Sequence, residues 1–200
     1  MAGDPQRRLV VAMTGASGAI YGVRFLQQAV RRVDEIYLIL SGNAPEVLAT
    51  EMGVHLSAPF TAADLLGRDA PQIRFCSAGD FFTPPASGSF RHGGMVIIPC
   101  SMGTAGRIAH GISSDLTTRA ADVCLKERRP LILVVRETPW NLIHLRNLTQ
   151  LAEAGATVLP AAPAFYHNPR TIEDLVDTVV ARTLQALGIE QELVGEWKHE

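Results

Sequence analysis

The sequence contains 200 residues, of which 47% are hydrophobic and 19% are charged, and its formal net charge is −2 at pH 7. A chain of this length can bury the core of one α/β domain, so we expect a single domain over residues 1–200. The small net charge does not indicate a basic face, so neither nucleic acid nor an anionic membrane is an expected partner.

The spacing of cysteines and histidines and the composition of the N-terminal stretch exclude several further classes of protein. The three cysteines form no C-x-x-C pair, and the six histidines show neither H-x-x-x-H nor H-E-x-x-H spacing, so we expect no disulfide framework and no metal site. The N-terminal stretch MAGDPQRRL lacks the apolar segment of a signal peptide. Since no apolar run approaches the ~18 residues of a membrane span, we expect a soluble cytoplasmic protein.

Apolar runs and helical patterns alternate along the chain. The predicted strands are the runs rich in Val, Ile and Leu at residues 9–13, 36–40, 95–100, 131–135 and 157–161. The predicted helices cover residues 19–32, 115–127, 141–154 and 171–187, and a C-terminal tail covers residues 188–200. Continuous apolar strands are typical of a parallel sheet covered on both faces. The sequence thus predicts a three-layer, doubly wound α/β fold with one long irregular segment at residues 77–94.

In such a sheet, ligands bind outside the carboxyl ends of the strands. TGASGAIYG (residues 14–22) follows the first strand, where Gly15 and Gly18 allow close backbone approach and Ser17 offers a hydroxyl. A tight strand–helix turn needs such glycines in any case. The turn is not G-x-G-x-x-G, and no Y-x-x-x-K follows, so a dinucleotide-dependent dehydrogenase is not favoured. The later strands lead to hydroxyl, small or charged residues: Ser41, Ser101, Gly103, Thr104, Arg136, Glu137 and Tyr166.

A basic stretch, DLTTRAADVCLKERRP, occupies residues 115–130. Its Arg119 and Lys126 are spaced two helical turns apart and therefore share one face of a helix. With Arg136 and Arg182 they are candidates for an anion site, although each cation taken alone is more commonly just solvated.

Six motifs, TGASGAIYG, PPASGS, PCSMGT, RAADVCLKERRPL, VVRETP and PAFYHNP, follow one another along nearly the whole chain. Together they resemble the motifs of UbiX-type flavin prenyltransferases, and the string AADVxLKERRPLxLxxRExP is the most specific part. The resemblance implies a flavodoxin-like (Rossmann-like) sheet and transfer of a dimethylallyl group from dimethylallyl phosphate to N5 and C6 of reduced FMN. It further implies that prenylated FMN passes to a UbiD-type decarboxylase, that the assembly is a dodecamer of trimers, and that no metal is needed.

The resemblance also assigns roles to residues at the matching motif positions. Those expected to bind FMN are Gly15, Ala16, Ser17, Ser41, Ser101, Met102, Gly103, Thr104 and Arg136. Those expected to bind dimethylallyl phosphate are Lys126, Tyr166, Arg182 and, from a neighbouring subunit, Arg119. Those expected to take part in catalysis are Ser17, Glu51, Lys126, Glu137 and Phe81. Glu51 would reach a phosphate, Ser17 and Glu137 would relay protons near N5, and Phe81 would face a developing allyl cation.

Several positions depart from the family pattern. Phe81, followed by Phe82, stands where Trp is common, so an aromatic face survives there. Gly42 stands where Lys is common, so we expect no phosphate contact from that position. Met102 replaces a commoner polar residue, which leaves backbone contacts to the flavin. Trp197 in the tail either packs over a neighbouring subunit's site or belongs to a frayed terminus.

Two other functions remain open. An FMN-dependent cysteine decarboxylase of the phosphopantothenoylcysteine type would share fold and flavin. However, VRETPWNLIHL occupies the place of its Met-Asn substrate motif, and residues 44–53 contain no histidine. A non-catalytic FMN-binding regulatory subunit would be favoured by loss of the phosphate-binding set, yet Lys126, Tyr166 and Arg182 are all present.

Overall fold

The computed structural model describes Asp4 and residues 7–195, which fold around a six-stranded parallel sheet. The strands are β1 (Arg8–Met13), β2 (Glu35–Leu40), β3 (Ile73–Cys76), β4 (Gly94–Cys100), β5 (Leu131–Val135) and β6 (Thr157–Pro160). The helices are α1 (Ala19–Ala29), α2 (Ala44–Met52), α3 (Ala62–Leu66), α4 (Met102–Ala109), α5 (Leu116–Lys126), α6 (Leu142–Glu153) and α7 (Ile172–Ala186). Among these described helices, none is both long and apolar enough to cross a membrane.

The strand order is β3-β2-β1-β4-β5-β6, so the winding of the sheet reverses between β1 and β4. Helices α1, α2, α3 and α7 pack on one face, and α4, α5 and α6 pack on the other. Every residue of β4 and β5 is buried, because helices cover both faces of the sheet. This architecture confirms the predicted three-layer, doubly wound fold. Ligands in this fold class bind at the point where the winding reverses.

Strand β3 corrects the five-stranded sheet that the apolar runs predicted. Its four residues, IRFC, include the exposed Arg74 and are otherwise only partly buried, because the strand lies at one edge of the sheet. A short edge strand lacks the continuous apolar run by which the other strands were recognised. Without β3, the five predicted strands stand in the order 2-1-3-4-5, which is the flavodoxin-like order.

Helix α7, near the C-terminus, was predicted from the sequence together with its capping box. Thr171 Oγ1 accepts a hydrogen bond from the Asp174 amide at 3.1 Å, and the Asp174 carboxylate accepts one from the Thr171 amide at 3.0 Å. This is the capping box that starts α7. After α7, Leu193 of the predicted tail packs against the core. Residues 196–200, with Trp197, lie outside the described residues, so the role expected for Trp197 stays a prediction.

The irregular segment predicted at residues 77–94 leads from β3 to β4 and contains a single 3-10 turn. It is anchored to α5 and to the residues that follow this helix. Arg119 Nε donates a hydrogen bond to the Ala86 carbonyl oxygen at 3.0 Å. Arg129 Nη2 donates another to the Gly88 carbonyl oxygen at 2.6 Å. These bonds hold the segment along the outer side of α5.

Candidate active site

The buried hydroxyl of Thr14 joins the turns that follow β1 and β4. Thr14 Oγ1 donates a hydrogen bond to the Pro99 carbonyl oxygen at 2.8 Å and accepts one from the Ser101 amide at 2.9 Å. The hydroxyl is therefore satisfied in both directions although Thr14 is only 3% exposed. These bonds fix the two turns relative to each other at the point where the sheet reverses.

The turn after β1 requires glycine at two positions, one for a close contact and one for a left-handed backbone conformation. A Cβ atom on Gly15 would lie 2.6 Å from the Cβ of Asn43, so a larger residue would push the turn after β2 away. Gly18 directly precedes α1 and has a φ of 101°, in the left-handed region that favours glycine. The GASG sequence thus brings the turns after β1 and β2 into contact.

The N-terminus of α1 is occupied by a carboxylate of the chain itself. Glu51 Oε2, from α2, accepts hydrogen bonds from the amides of Gly18 at 2.9 Å and Ala19 at 2.8 Å. Partial burial raises the pKa of Glu51. Hydrogen bonds from Ser17 and from these amides, with the positive charge of Arg136 nearby, outweigh this effect and hold the pKa below its ordinary value of 4.5. Glu51 is therefore ionised at neutral pH and complements the positive end of the helix.

Arg136 lies beside the same turn, directly after β5. Its Nε donates a hydrogen bond to the Ser17 carbonyl oxygen at 3.1 Å. The neighbouring Glu137 is exposed, and its carboxylate accepts a hydrogen bond from the Thr138 amide at 3.0 Å. The structure therefore brings Arg136 to the predicted flavin-binding turn, whereas in the described part of the chain no hydrogen bond joins Glu137 to Ser17.

A cleft of about 330 Å³ opens between the turns after β1, β2 and β4. Its lining includes the hydroxyl residues Ser41, Ser101 and Thr104, together with Arg107 and Asp115. Ser101 caps α4, because its Oγ accepts a hydrogen bond from the Thr104 amide at 3.3 Å and donates one to Thr104 Oγ1 at 3.1 Å. Hydroxyl groups at a helix N-terminus suit an oxyanion such as a phosphate.

Four further residues around this cleft have no polar side chain, so they could contact a ligand mainly through their backbone atoms. Ala16 and Met102 are buried, at 7% and 5% exposure, and the Met102 side chain belongs to the core. Gly42 lines the cleft, and a Cβ atom on Gly42 or Gly103 would meet nothing within 4 Å. Both glycines thus leave open space next to the hydroxyl groups.

An ion pair lies at the side of the cleft. Arg107 Nη1 is 2.5 Å from Asp115 Oδ2, and Nη2 donates a hydrogen bond to Thr104 Oγ1 at 3.3 Å. Partial burial raises the pKa of Asp115, but hydrogen bonds from the Thr118 amide and from Arg107 outweigh it, so the pKa lies below its ordinary value. Across the described residues, no three His, Cys, Asp or Glu side chains converge in a group that could hold a metal ion.

A second set of predicted residues lies along α5 and the segment between β3 and β4. Arg119 holds that segment, as described above, and Lys126 forms an ion pair with Glu127 at the end of α5. Lys126 also lies against Gly88, where an added Cβ would be 2.7 Å from Lys126 Nζ. Phe81 belongs to the same segment and is 42% exposed. Arg119 and Lys126 therefore both lie against the segment between β3 and β4, to which Phe81 also belongs.

A third set lies between β6 and α7. Tyr166 and Arg182 both line a cleft of about 850 Å³. Tyr166 is 62% exposed, with its ring 4.4 Å from that of His167. Arg182 Nη1 donates a hydrogen bond to Gln185 Oε1 at 2.7 Å. These two residues, predicted to bind the same phosphate, thus share one cavity.

Within one chain, Lys126 and Arg136 lie at opposite ends of the sheet. Arg136 directly follows the carboxyl end of β5, whereas Lys126 precedes the amino end of the same strand. A five-residue strand spans ~16 Å. Helix α5 begins next to the cleft at Asp115 and carries Lys126 away from it. A single chain therefore does not bring the predicted cations together in one anion site.

Comparison with known proteins establishes the family. A family model described as Flavoprotein matches residues 2–184. The flavin prenyltransferase UbiX of Pseudomonas aeruginosa is 49% identical over 195 residues, which cover 95% of this chain and 93% of that protein. The chain belongs to the UbiX family of flavin prenyltransferases. This confirms the resemblance that the six motifs indicated.

Solved structures of UbiX proteins have the same fold. AnUbiX (PadA1), crystallised in complex with FMN and dimethylallyl pyrophosphate, is 39% identical with a TM-score of 0.88, covering 98% of this chain and 99% of that chain. A dodecameric FMN-dependent UbiX-like decarboxylase from Escherichia coli O157:H7 is 39% identical with a TM-score of 0.85, covering 96% and 99%. A PPC decarboxylase, at 16% identity and a TM-score of 0.58, shares the fold alone.

Sequence reasoning missed three residues that shape this UbiX site: Thr14, Arg107 and Asp115. Thr14 is the first residue of the TGASGAIYG turn, but nothing in the local sequence indicates that its hydroxyl connects to the turn after β4. Arg107 follows Thr104 at a spacing that places both on one helix face, and this signal could have found it. Asp115 is a typical N-cap residue directly before a helical pattern.

Proposed function

We propose that this protein transfers a dimethylallyl group from dimethylallyl phosphate to N5 and C6 of reduced FMN, giving prenylated FMN for a UbiD-type decarboxylase. The observation that carries the proposal is the presence of two separate clefts, one lined by hydroxyl groups at the sheet reversal and one that contains Tyr166 and Arg182. Two substrates that each carry a phosphate need two such surfaces. The AnUbiX complex, which contains FMN and dimethylallyl pyrophosphate, supports the same pairing.

The cleft at the sheet reversal fits FMN by its donor set. The hydroxyl groups of Ser41, Ser101 and Thr104 suit the phosphate, and the Gly15–Ser17 backbone offers a close approach to the rest of the flavin. Arg136 uses Nε to hold Ser17, which leaves its terminal N–H groups for the ligand. When bound, reduced FMN supplies the N5 and C6 atoms to which the prenyl carbons are joined.

The remaining cations and a phenol would hold the prenyl phosphate. Tyr166 and Arg182 already share a cleft. Lys126 and Arg119 would join them from another subunit, through the same α5 surface that covers the flavin cleft. Fixed positive charges and hydrogen-bond donors stabilise the negative charge that grows on a departing phosphate. These side chains would be sufficient to hold a monophosphate without a bound metal ion. We therefore propose dimethylallyl phosphate as the donor.

Proton transfer would pass through Ser17. Ser17 directly precedes Gly18, whose amide binds the ionised Glu51 carboxylate, and Ser17 contributes to the lowered pKa of Glu51. Ser17 Oγ would accept a proton from a ligand while its own proton moves toward the carboxylate. Glu137 would act at the same edge of the sheet, since it follows Arg136 directly. Phe81 would place an aromatic face over the prenyl group, where π density favours a developing allyl cation.

The proposed site requires more than one subunit. Lys126 and Arg136 lie at opposite ends of the sheet, so a site that uses both takes them from different chains. We therefore propose a dodecamer of trimers, which agrees with the dodecameric UbiX-like relative. In this arrangement the outer surface of α5, with Arg119 and Lys126, covers the flavin cleft of a neighbour.

A single anaerobic incubation tests the function. The protein is mixed with FMN, a reductant and either dimethylallyl phosphate or dimethylallyl pyrophosphate, and the extracted flavin is analysed by mass spectrometry. We expect a flavin heavier by one dimethylallyl unit, formed faster from the monophosphate and absent without protein. Unmodified FMN that stays bound to the protein would contradict the proposal. A cysteine-peptide decarboxylation assay would then separate the decarboxylase alternative from a regulatory flavoprotein.

A further inference from the structure

The cleft at the sheet reversal contains a cation that the proposed roles do not use. Among the residues that line it in the described part of the chain, Arg107 and Asp115 alone carry a charge. The other lining residues are glycines and residues with hydroxyl or amide groups. Arg107 is therefore the cation available in this cleft to meet a phosphate.

Arg107 is held in place on three sides. Nη1 donates hydrogen bonds to Ser114 Oγ at 2.9 Å and to the Asp115 carboxylate, and Nη2 donates to Thr104 Oγ1 at 3.3 Å. These contacts use three of the five N–H donors of the guanidinium group. The side chain is 35% exposed and lines the cleft. A cation already fixed in position loses little conformational entropy when it binds a ligand.

Asp115 counteracts this charge while no anion is present. Its Oδ2 pairs with Arg107, and its Oδ1 accepts a hydrogen bond from the Thr118 amide at 2.8 Å as the N-cap of α5. The carboxylate therefore has a structural partner of its own. It can therefore remain in place when a phosphate meets the guanidinium donors that Asp115 does not use, since the planar guanidinium group suits a phosphate.

We propose that Arg107 binds the phosphate of FMN, together with Ser101 and Thr104, and thereby makes the site select FMN over riboflavin. The negative charge of Asp115 partly offsets that of Arg107 and so weakens this interaction. The inference rests on the proposed function, since it takes FMN as the flavin of this cleft. It adds a specificity residue that acts on binding of the flavin.

The test compares the dissociation constants of oxidised FMN and riboflavin, measured by quenching of flavin fluorescence. We expect Arg107→Gln to raise the Kd for FMN about tenfold or more and to leave the Kd for riboflavin unchanged. Arg107→Lys should restore part of the preference. Asp115→Asn keeps an N-cap residue but removes the negative charge beside Arg107, so it should lower the Kd for FMN.

The matched control is Arg24→Gln, which breaks the Arg24–Asp177 ion pair (2.6 Å) between α1 and α7, away from the cleft. It should change neither dissociation constant. If Arg107→Gln weakens both flavins equally, or neither, the assignment of Arg107 is wrong while FMN binding itself stands. If the unsubstituted protein binds no FMN, the proposed function fails and this inference fails with it.

Discussion

Glu51 Oε2 lies 2.9 Å from the amide nitrogen of Gly18, at the positive end of α1. A fixed carboxylate of the chain thus stands at the helix N-terminus that the sequence marked as a place for a phosphate. The hydroxyl groups of Ser101 and Thr104 instead line the adjacent open cleft, where we propose that the phosphate binds. Glu51 thus connects α2 to the turn after β1 and places a negative charge near Arg136.

Replacing Glu51 by Gln should lower the free energy of unfolding at pH 7 by less than about 1 kcal/mol, since the residue is exposed and its charge acts at a helix end. The folded-state pKa lies below 4.5. The stabilisation is therefore fully present above pH 4.5 and disappears as the pH falls through the lower folded-state value. Urea unfolding of both proteins across this range measures it. A difference that stays constant down to acidic pH would contradict the argument.

The hydroxyl of Thr14 provides a sharper prediction. Thr14→Val keeps the shape of the side chain but leaves the Ser101 amide without its partner, and the Pro99 carbonyl keeps only its hydrogen bond from the Thr14 amide, which should cost about 1–3 kcal/mol of unfolding free energy. Because the turns after β1 and β4 are then joined less firmly, the purified protein should also retain less FMN. Urea unfolding and the flavin-to-protein ratio measure both effects. Thr14→Ser, which retains the hydroxyl, should behave like the unsubstituted protein, and an equal loss in both variants would refute the role.

Fold and site differ in how far the sequence could predict them. Strands such as β4 and β5 are buried on both faces, so each could be predicted from a continuous run of apolar residues. Strand β3 lies at the edge, where Arg74 interrupts the pattern. The spacing of Arg119 and Lys126 correctly placed both on one helix, but spacing does not tell how far a helix carries a side chain from the site. The hydroxyl bridge of Thr14 depends on two turns far apart in sequence, which no local pattern encodes.

His92 makes the stability of the fold depend on pH. Burial lowers the pKa of its imidazole to about 4, although a hydrogen bond with the Gly94 carbonyl oxygen at 3.0 Å opposes this. The unfolded chain therefore binds a proton between pH 6.5 and about 4 that the folded chain does not, so stability falls as the pH falls through this window.

Between pH 7 and pH 5, the titration of His92 should remove about 2 kcal/mol of unfolding free energy from the unsubstituted protein. His92→Gln has no titrating imidazole and should lose correspondingly less over the same interval, even if it is less stable at pH 7. Denaturant unfolding at the two pH values measures the difference. Parallel pH profiles for the two proteins would show that the buried imidazole is not responsible.

The separation of Lys126 and Arg136 within one chain predicts that their variants complement each other. Lys126→Ala should abolish most turnover while FMN stays bound, because we assign this cation to the prenyl phosphate and not to the flavin. Arg136→Ala should raise the Kd for FMN about tenfold or more, because the guanidinium contacts the flavin turn. Flavin content and prenylated product, measured side by side, distinguish the two defects.

Co-assembly of the two variants then tests whether the site is shared between subunits. In a random mixture, about a quarter of the sites take their α5 surface from an Arg136→Ala chain and their flavin cleft from a Lys126→Ala chain, and these sites are complete. We expect the mixed oligomer to regain roughly that fraction of activity at limiting FMN. Oligomers assembled separately and mixed afterwards provide the control. If both residues acted from the same chain, every site would carry one substitution and co-assembly would restore nothing.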